Sequence, residues 1–236
     1  MTEVRDTRDG GADSRPRLPI LFEDAHLVAI DKPAGLASVP SEGVAGRTCV
    51  SELRVSHPTA TPVHRIDRDV SGVLLFALDE ATRTALERQF RDRSIDKTYL
   101  AVVSGVPRPP AGTIRKPISD LGKVARIGGV RGGGRGAHAV THYKVVDRLG
   151  PASLVEVCLE TGRYNQIRLH FAAIGHPLIG ERKYARGGES LVRFRRVALH
   201  AWRIAFEHPV TRVRVELEAR PPHDLRGLID ELRAAR

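Results

Sequence analysis

Residues 64–77 read His-Arg-Ile-Asp-Arg-Asp-Val-Ser-Gly-Val-Leu-Leu-Phe-Ala. The second half of this stretch, Gly72–Ala77, is continuously apolar, which is typical of a buried strand. The first half places a histidine, two arginines and two aspartates directly beside that strand. Charged side chains next to a core strand are costly unless they are paired. The segment is therefore either a solvated loop with its own ion pairs or a functional site.

The composition indicates a folded protein with a polyanionic partner. The chain has 236 residues, which suits one large domain or two small ones, and 41% of them are hydrophobic. The 38 Lys and Arg residues against 28 Asp and Glu give a net charge of +10. A chain this basic favours nucleic acid or, less often, an anionic membrane surface as its partner.

The cysteines and the N-terminus indicate a cytoplasmic protein. Cys49 and Cys158 form no disulfide framework and no metal-ligand pattern, so we expect two buried thiols in a reducing compartment. Apolar runs near 18 residues, which a membrane span needs, are absent from the sequence. Met1–Arg17 is polar and lacks the apolar core of a secretory signal, so we expect a disordered arm there.

A second informative stretch, residues 161–170, reads Thr-Gly-Arg-Tyr-Asn-Gln-Ile-Arg-Leu-His. We expect a helix from Asn165 to Ile174, because apolar residues recur at helical spacing and Gly175 follows. Asn165 and Arg168 then lie three positions apart on the other face of this helix.

The remaining pattern predicts strands interspersed with short helices. The predicted strands are two short ones within 19–31, then 97–104, 140–146, 154–159 and 213–219, and the other predicted helices lie at 48–55, from 79 onward and around 225–232. Residues 112–138 are rich in Gly and Arg and lack the ending of a P-loop, so we expect a mobile loop or strand extension. This order predicts an α+β fold with a mostly antiparallel sheet.

The first stretch closely resembles the catalytic motif of the RluA-type RNA pseudouridine synthases. That motif is His-Arg-Leu-Asp, two variable residues, Thr-Ser-Gly and an aliphatic run. Here Ile66 replaces Leu and Val70 replaces Thr. In that family the aspartate is the essential residue, so the resemblance points to Asp67.

Three further motifs of the family occur in the same order. Asp24–Gly35 resembles its opening motif, and Lys97-Thr98-Tyr99 resembles its Lys-x-Tyr. Gly162–His170 resembles Gly-Arg-x-His-Gln-Ile-Arg-x-His, with Asn165 in place of the histidine. The family's following Gly-Asp is Gly180-Glu181 here, and its closing Leu-His-Ala and His-Pro are present at 199–201 and 208–209.

The resemblance implies a pseudouridine synthase-like catalytic domain over residues 18–236. Its central sheet would be mixed, mostly antiparallel, flanked by helices and cut by an active-site cleft. The implied reaction isomerises specific uridines of ribosomal or transfer RNA, or both, to pseudouridine, on a base flipped out of a structured stem-loop. This isomerisation needs no cofactor and no metal. We expect a monomer in the cytoplasm.

The resemblance also implies roles for individual side chains. Asp67 would be the catalytic carboxylate, and Arg168 would keep it ionised by lowering its pKa. Tyr99, the third catalytic residue, would stack on the base or also serve in proton transfer. The residues predicted to bind RNA are His64, Arg65, Arg131, Arg135, Arg163 and Gln166.

Three alternatives compete with this interpretation. A metal hydrolase using His64 and Asp67 would need a ligand pattern such as His-Glu-x-x-His, which the sequence lacks. A glycosidase using Asp67 and Asp69 is disfavoured because alternate residues of a strand face opposite ways. A non-catalytic RNA-binding protein explains the charge equally well, but it has no need for an aspartate in a basic site.

Overall fold

The structure is a computed structural model that describes residues 18–40, 46–120, 125–128, 136–185 and 192–235. The expected arm at 1–17 and the predicted RNA contacts Arg131 and Arg135 lie outside these residues. The strands in the described ranges are β1 (Ile20–Glu23), β2 (Leu27–Lys32), β3 (Thr61–Pro62), β4 (Ser71–Ala77), β5 (Asp96–Ser104), β6 (Ala111–Arg115), β7 (Ile118–Asp120), β8 (Ala125–Ile127), β9 (Val140–Leu149), β10 (Ala152–Leu159), β11 (Leu199–Glu207) and β12 (Arg214–Glu218). The helices are α1 (Cys49–Leu53), α2 (Glu80–Asp92), α3 (Gln166–Ala173) and α4 (His223–Ala234).

One ten-stranded sheet organises the described chain. Its main path runs β1-β2-β4-β11-β5-β10-β9-β6, with β12 paired to β11 and β3 paired to β4. Within the described ranges, β4 and β11 run parallel, and every other pairing between named strands is antiparallel. The predicted α+β fold with a mixed, mostly antiparallel central sheet is confirmed.

Strand β4 is apolar from Gly72 to Ala77 and is covered on both faces. Val73 and Leu75 pack in the same core cluster as Leu86 of α2. Leu74 and Phe76 point the other way and pack in a cluster with residues of α1. All seven residues of β4 are buried, as the continuous apolar run predicted.

The close approach of β4 to β11 requires glycine at position 72. Gly72 pairs with Ala201 across the parallel ladder, and its φ is +115°. A Cβ atom at this position would lie 2.1 Å from the backbone oxygen of Ala201. Beside it, Ser71 Oγ hydrogen-bonds His200 Nδ1 at 2.9 Å. The Ser-Gly of the first motif therefore joins two strands.

Several local predictions are confirmed and two are corrected. Thr48 and Asp79, the first residues of two predicted helices, cap α1 and α2, each accepting a backbone N–H with its side chain. Cys158 is exposed and not buried, because its position in β10 shares the outward face with Glu156. Residues 112–138, for which we expected a mobile loop or strand extension, include β7 and β8, which form a separate two-stranded sheet. No helix in the described ranges is long and apolar enough to cross a membrane.

Candidate active site

Apolar anchors on either side hold the loop that carries Asp67. Ile66 and Val70 are buried in one core cluster, and the Val70 N–H donates to the Asp67 backbone oxygen at 3.1 Å. The Ser38 hydroxyl donates to the Ile66 oxygen at 2.7 Å. Between these anchors, the Asp67 side chain keeps 28% of its surface exposed, so the carboxylate is held at the surface of the core.

The opening motif fastens the other side of this loop. Lys32 is fully buried, and its Nζ donates to the carbonyl oxygens of Pro33, Leu36 and Arg68 at 2.9, 2.6 and 3.0 Å. The Gly35 N–H also donates to the Arg68 oxygen, at 2.8 Å. Burial lowers the pKa of Lys32 to about 8. The opening motif therefore fixes the position of the loop that carries Asp67.

Strand register places Tyr99 in the same cleft as Asp67. Gly72 of β4 pairs with Ala201 of β11, and Ala201 pairs with Tyr99 of β5. Asp67 and Tyr99 line one cleft with a volume of about 520 Å³. Burial and the charge of Asp67 raise the pKa of the Tyr99 phenol above its ordinary range. Tyr99 is therefore protonated at neutral pH and offers a ring face and a hydroxyl.

Arg168 of α3 lies between two carboxylates. Its Nε and Nη2 donate to Glu181 Oε2 and Oε1 at 2.6 and 2.9 Å, and its Nη1 lies 3.5 Å from Asp67 Oδ2. The Glu181 side chain is fully buried. Burial alone would raise the pKa of Glu181, but the hydrogen bonds and charge of Arg168 and the N–H groups of Lys183 and Tyr184 outweigh it and lower that pKa.

The charge of Arg168 and its hydrogen bond act to lower the pKa of Asp67, in the direction predicted, but they do not decide the net shift. Burial raises this pKa above its ordinary value, and the opposing charges of Arg168 and Arg65 only partly offset it. Arg168 makes its two shorter contacts with Glu181, so its charge is shared between two carboxylates. The pKa of Asp67 therefore lies above its ordinary value, as is common for carboxyl groups that are largely shielded from water.

Asn165 stands at the start of α3 and reaches Asp67. Its φ of 53° is left-handed, a conformation that Asn adopts more readily than most residues. In the amide orientation that satisfies both ends, its nitrogen donates to Asp67 Oδ2 at 2.5 Å and its oxygen accepts from the Tyr184 hydroxyl at 2.7 Å. An N–H donated to a carboxylate favours the ionised form.

The residues predicted to bind RNA separate into two groups. Arg65 and Arg163 are exposed and line the cleft beside Asp67. Gln166 also borders the cleft, but it is 2% exposed. Its oxygen accepts from the Thr161 hydroxyl and the Arg163 N–H, and its nitrogen donates to two acceptors on β9. The side chain of Gln166 is therefore committed to anchoring α3 on β9, which corrects its predicted RNA contact.

His64 also departs from its predicted place. Its Nε2 accepts the Leu75 N–H at 3.1 Å, and its ring lies 4.8 Å from that of Phe90 on α2. Burial and the charge of Lys97 lower the pKa of His64 to about 3, so the ring stays neutral. These contacts give His64 a packing role beside α2, and it is not among the residues that line the cleft, which corrects its predicted RNA contact.

The other motif histidines are also structural. His170 hydrogen-bonds the Thr141 hydroxyl and the Lys116 carbonyl. His200 is bonded to Ser71, and His208 to Asp24 at 2.8 Å. Among the described residues, no group of three or more His, Cys, Asp or Glu side chains is placed to hold a metal ion.

Sequence reasoning missed two partners of the site. Glu181 was noted only as a departure from the family's Gly-Asp, whereas it is the main partner of Arg168. Tyr184, three residues later, lies outside every motif described above. The signal for Glu181 was its place in a motif that follows the helix of Arg168, because a buried arginine needs a carboxylate partner.

Comparisons with known proteins agree with this site. A family model described as RNA pseudouridylate synthase matches residues 26–173. Ribosomal large subunit pseudouridine synthase D of Zymomonas mobilis is 36% identical over 231 aligned positions, covering 91% of this chain and 73% of that protein. The solved structure of human RNA Pseudouridylate Synthase Domain Containing 4 superposes with a TM-score of 0.73 at 25% identity, covering 91% of this chain and 93% of that one.

A second solved structure is similar to the same extent. Human RNA Pseudouridylate Synthase Domain Containing 1 gives a TM-score of 0.72 at 26% identity, covering 92% of this chain and 95% of that one. The matched region contains Asp67, Tyr99 and Arg168 in their motifs. The chain therefore belongs to the RluA-type family of RNA pseudouridine synthases and is an isomerase that acts on RNA.

Proposed function

We propose that this enzyme converts a uridine of large-subunit ribosomal RNA to pseudouridine, with Asp67 as its catalytic carboxylate. The observation that carries the proposal is the position of Asp67, a partly exposed carboxylate in a cleft that it shares with Tyr99 and two exposed arginines, in a chain with a net charge of +10. The choice of ribosomal RNA rests on the similarity to synthases named for the large ribosomal subunit. Transfer RNA is the other outcome of the test.

The reaction needs a base removed from its stack. A uridine in a structured RNA is reached only after the nucleotide is flipped out, and its phosphates then need cationic partners. Arg65 and Arg163 supply such charges at the cleft, and the Arg65 guanidinium lies 5.9 Å from the centre of the Tyr164 ring. We assign these two arginines to the phosphates flanking the flipped nucleotide.

Inside the cleft, the ring of Tyr99 receives the base and Asp67 acts at the glycosidic bond. The bond between N1 and the sugar breaks, the base turns, and C5 is joined to the same sugar carbon. The hydrogen on C5 leaves and N1 takes up a proton, so the atoms balance without an added reactant. The carboxylate of Asp67 serves as nucleophile or as the group that assists bond cleavage. We propose that no cofactor takes part.

Arg168 acts on this chemistry through position and charge. Its guanidinium is fixed by two hydrogen bonds to Glu181 and approaches Asp67 from the side of α3. Arg168→Ala would leave both carboxylates without their cation in a buried setting, so we assign it a severe loss of activity.

The assembly and location are part of the same proposal. The exposed large apolar residues among those described are few and belong to different segments of the chain: Ile20, Val55, Val146, Val210 and Val213. Scattered apolar residues do not form an interface, which supports a monomer. A ribosomal RNA substrate and two free cysteines support a cytoplasmic location.

The proposal is tested by mapping pseudouridines in ribosomal and transfer RNA from cells with and without the gene for this chain. Loss of one or more pseudouridines from large-subunit ribosomal RNA, restored by the wild-type chain and not by Asp67→Asn, supports it. Loss confined to transfer RNA would overturn the substrate. An unchanged map, together with binding to RNA, would favour the non-catalytic RNA-binding protein.

A further inference from the structure

The amide of Asn165 connects the carboxylate of Asp67 to a second hydroxyl, that of Tyr184. The amide nitrogen lies 2.5 Å from Asp67 Oδ2 and 3.3 Å from Oδ1, and the amide oxygen lies 2.7 Å from the Tyr184 hydroxyl. We propose that Tyr184 is a positioning residue whose hydroxyl donates to Asn165 and so keeps the amide N–H directed at Asp67. This inference rests on the proposed role of Asp67.

A hydroxyl is needed at this point because the amide has a competing orientation. Arg168 Nη1 lies 3.4 Å from the end of the amide that faces Asp67. Without a donor at the far end, the amide oxygen gains more by rotating toward Arg168. That rotation would set the oxygen against the oxygens of Asp67. In the competing orientation the Tyr184 hydroxyl would accept from the amide nitrogen. In the useful orientation it donates to the amide oxygen while the amide N–H pairs with Asp67, and the linked hydrogen bonds reinforce each other.

The rest of Tyr184 is held by contacts that do not involve its hydroxyl. Its backbone N–H donates to Glu181 Oε1 at 3.2 Å. Its ring lies 5.4 Å from the guanidinium carbon of Arg168. A phenylalanine would keep both contacts, so Tyr184→Phe removes the hydroxyl alone.

The effect is measurable because Asp67 sets the acid limb of the rate profile. The titratable and charged groups that face Asp67 are Arg65 and Asp69 of its own loop, Lys32 of β2, Tyr99 of β5 and Arg168 of α3. All of them stay in place in Tyr184→Phe. Loss of the amide N–H removes a hydrogen bond to the ionised form, so the carboxyl group of Asp67 ionises at higher pH.

The experiment is the pH dependence of kcat/KM for pseudouridine formation in an RNA substrate. We expect the acid limb of Tyr184→Phe to lie about one pH unit above that of the wild type. At pH values below both limbs, the variant should therefore react about tenfold more slowly than the wild type. The control is Tyr143→Phe, since the Tyr143 hydroxyl donates to the Pro109 carbonyl at 3.1 Å. That variant loses a hydroxyl of the same kind and should leave the acid limb unchanged.

A second pair of variants, both lacking the Asn165 amide, tests whether Tyr184 acts through Asn165 or only supports the structure. Asn165→Gly removes the amide without strain, because glycine adopts the φ of 53° found here. If Tyr184 acts through Asn165, Asn165→Gly and Asn165→Gly/Tyr184→Phe have the same acid limb. An equal shift with and without Asn165, or no shift in the single variant, overturns the inference. A wild type that forms no pseudouridine overturns the proposed function as well, whereas an active wild type with a Tyr184-independent limb overturns this inference alone.

Discussion

Replacing Glu181 by glutamine tests the electrostatic balance of the site. In the structure, Glu181 Oε1 accepts from Arg168 Nη2 and from the Lys183 N–H at 2.9 and 2.7 Å, which a glutamine oxygen can also do. The amide nitrogen must then occupy the place of Oε2, 2.6 Å from Arg168 Nε. Two donors would face each other there, and Arg168 would lose its closest negative partner.

The magnitude follows from burial. Breaking one side of a buried ion pair costs about 3–5 kcal/mol, and Asp67 remains as a second carboxylate 3.5 Å from Arg168. We therefore expect the lower end, about 3 kcal/mol, which for a chain of this size is a fall in Tm of roughly 6–12 °C. Because Arg168 no longer shares its charge with Glu181, it stabilises ionised Asp67 more strongly. The acid limb of the rate profile should therefore move to lower pH.

The assays are thermal unfolding and the pH dependence of pseudouridine formation. Glu218→Gln is a matched control, because the Arg203–Glu218 pair is also short, at 2.8 Å, but about half exposed on both sides. An exposed pair contributes at most about 1 kcal/mol, and this one lies away from the cleft. A Tm of Glu181→Gln equal to that of the control, or an acid limb moved to higher pH, would refute the reasoning.

Three further predictions concern the motifs around the site. Gly72→Ala should lower the free energy of unfolding by about 2–5 kcal/mol in urea titrations, because its Cβ would meet a carbonyl of the neighbouring strand at 2.1 Å and φ is +115°; an unchanged midpoint would contradict the strand contact. Asn165→His should keep pseudouridine formation within about tenfold, because histidine also tolerates the left-handed backbone and can donate to Asp67; loss of most activity in a folded variant would reveal another role. Replacing Arg126, Arg131 and Arg135 by alanine should lower the slope of log K against log salt by about 2–3, since each lost phosphate contact removes about 0.7–0.9; an equal slope would show that these arginines do not touch RNA.

Much of the fold could be predicted because its local signals agree. The apolar run of β4, the caps Thr48 and Asp79 and the stripe of α3 each depend on neighbours in sequence, and each matches the structure. The parallel pairing of β4 with β11 joins residues 129 positions apart, as the Ser71–His200 bond shows. Periodicity carries no information about such a pairing, and the family resemblance implied only that the sheet would be mixed.

The site could be predicted in its residue types and not in its balance of charges. The motifs identified Asp67, Tyr99 and Arg168, and the structure brings them to one cleft. The direction of the Asp67 pKa shift could not be predicted, because it depends on how far the folded chain buries the carboxyl group, which outweighs the charge of Arg168. The direction of the His64 side chain could not be predicted either, because packing decides which way a side chain leaves a loop.

The central claim is that Asp67 carries the reaction, and the most direct measurement is single-turnover conversion of a uridine-containing RNA by Asp67→Asn. The substitution keeps size and shape but removes the charge and the nucleophile. We predict no pseudouridine, with RNA affinity equal or tighter because a negative charge near the phosphates is gone. Asp69→Asn makes the same change on an exposed side chain of the same loop and should retain activity. Appreciable product from Asp67→Asn would contradict the account and remove the catalytic role from this carboxylate.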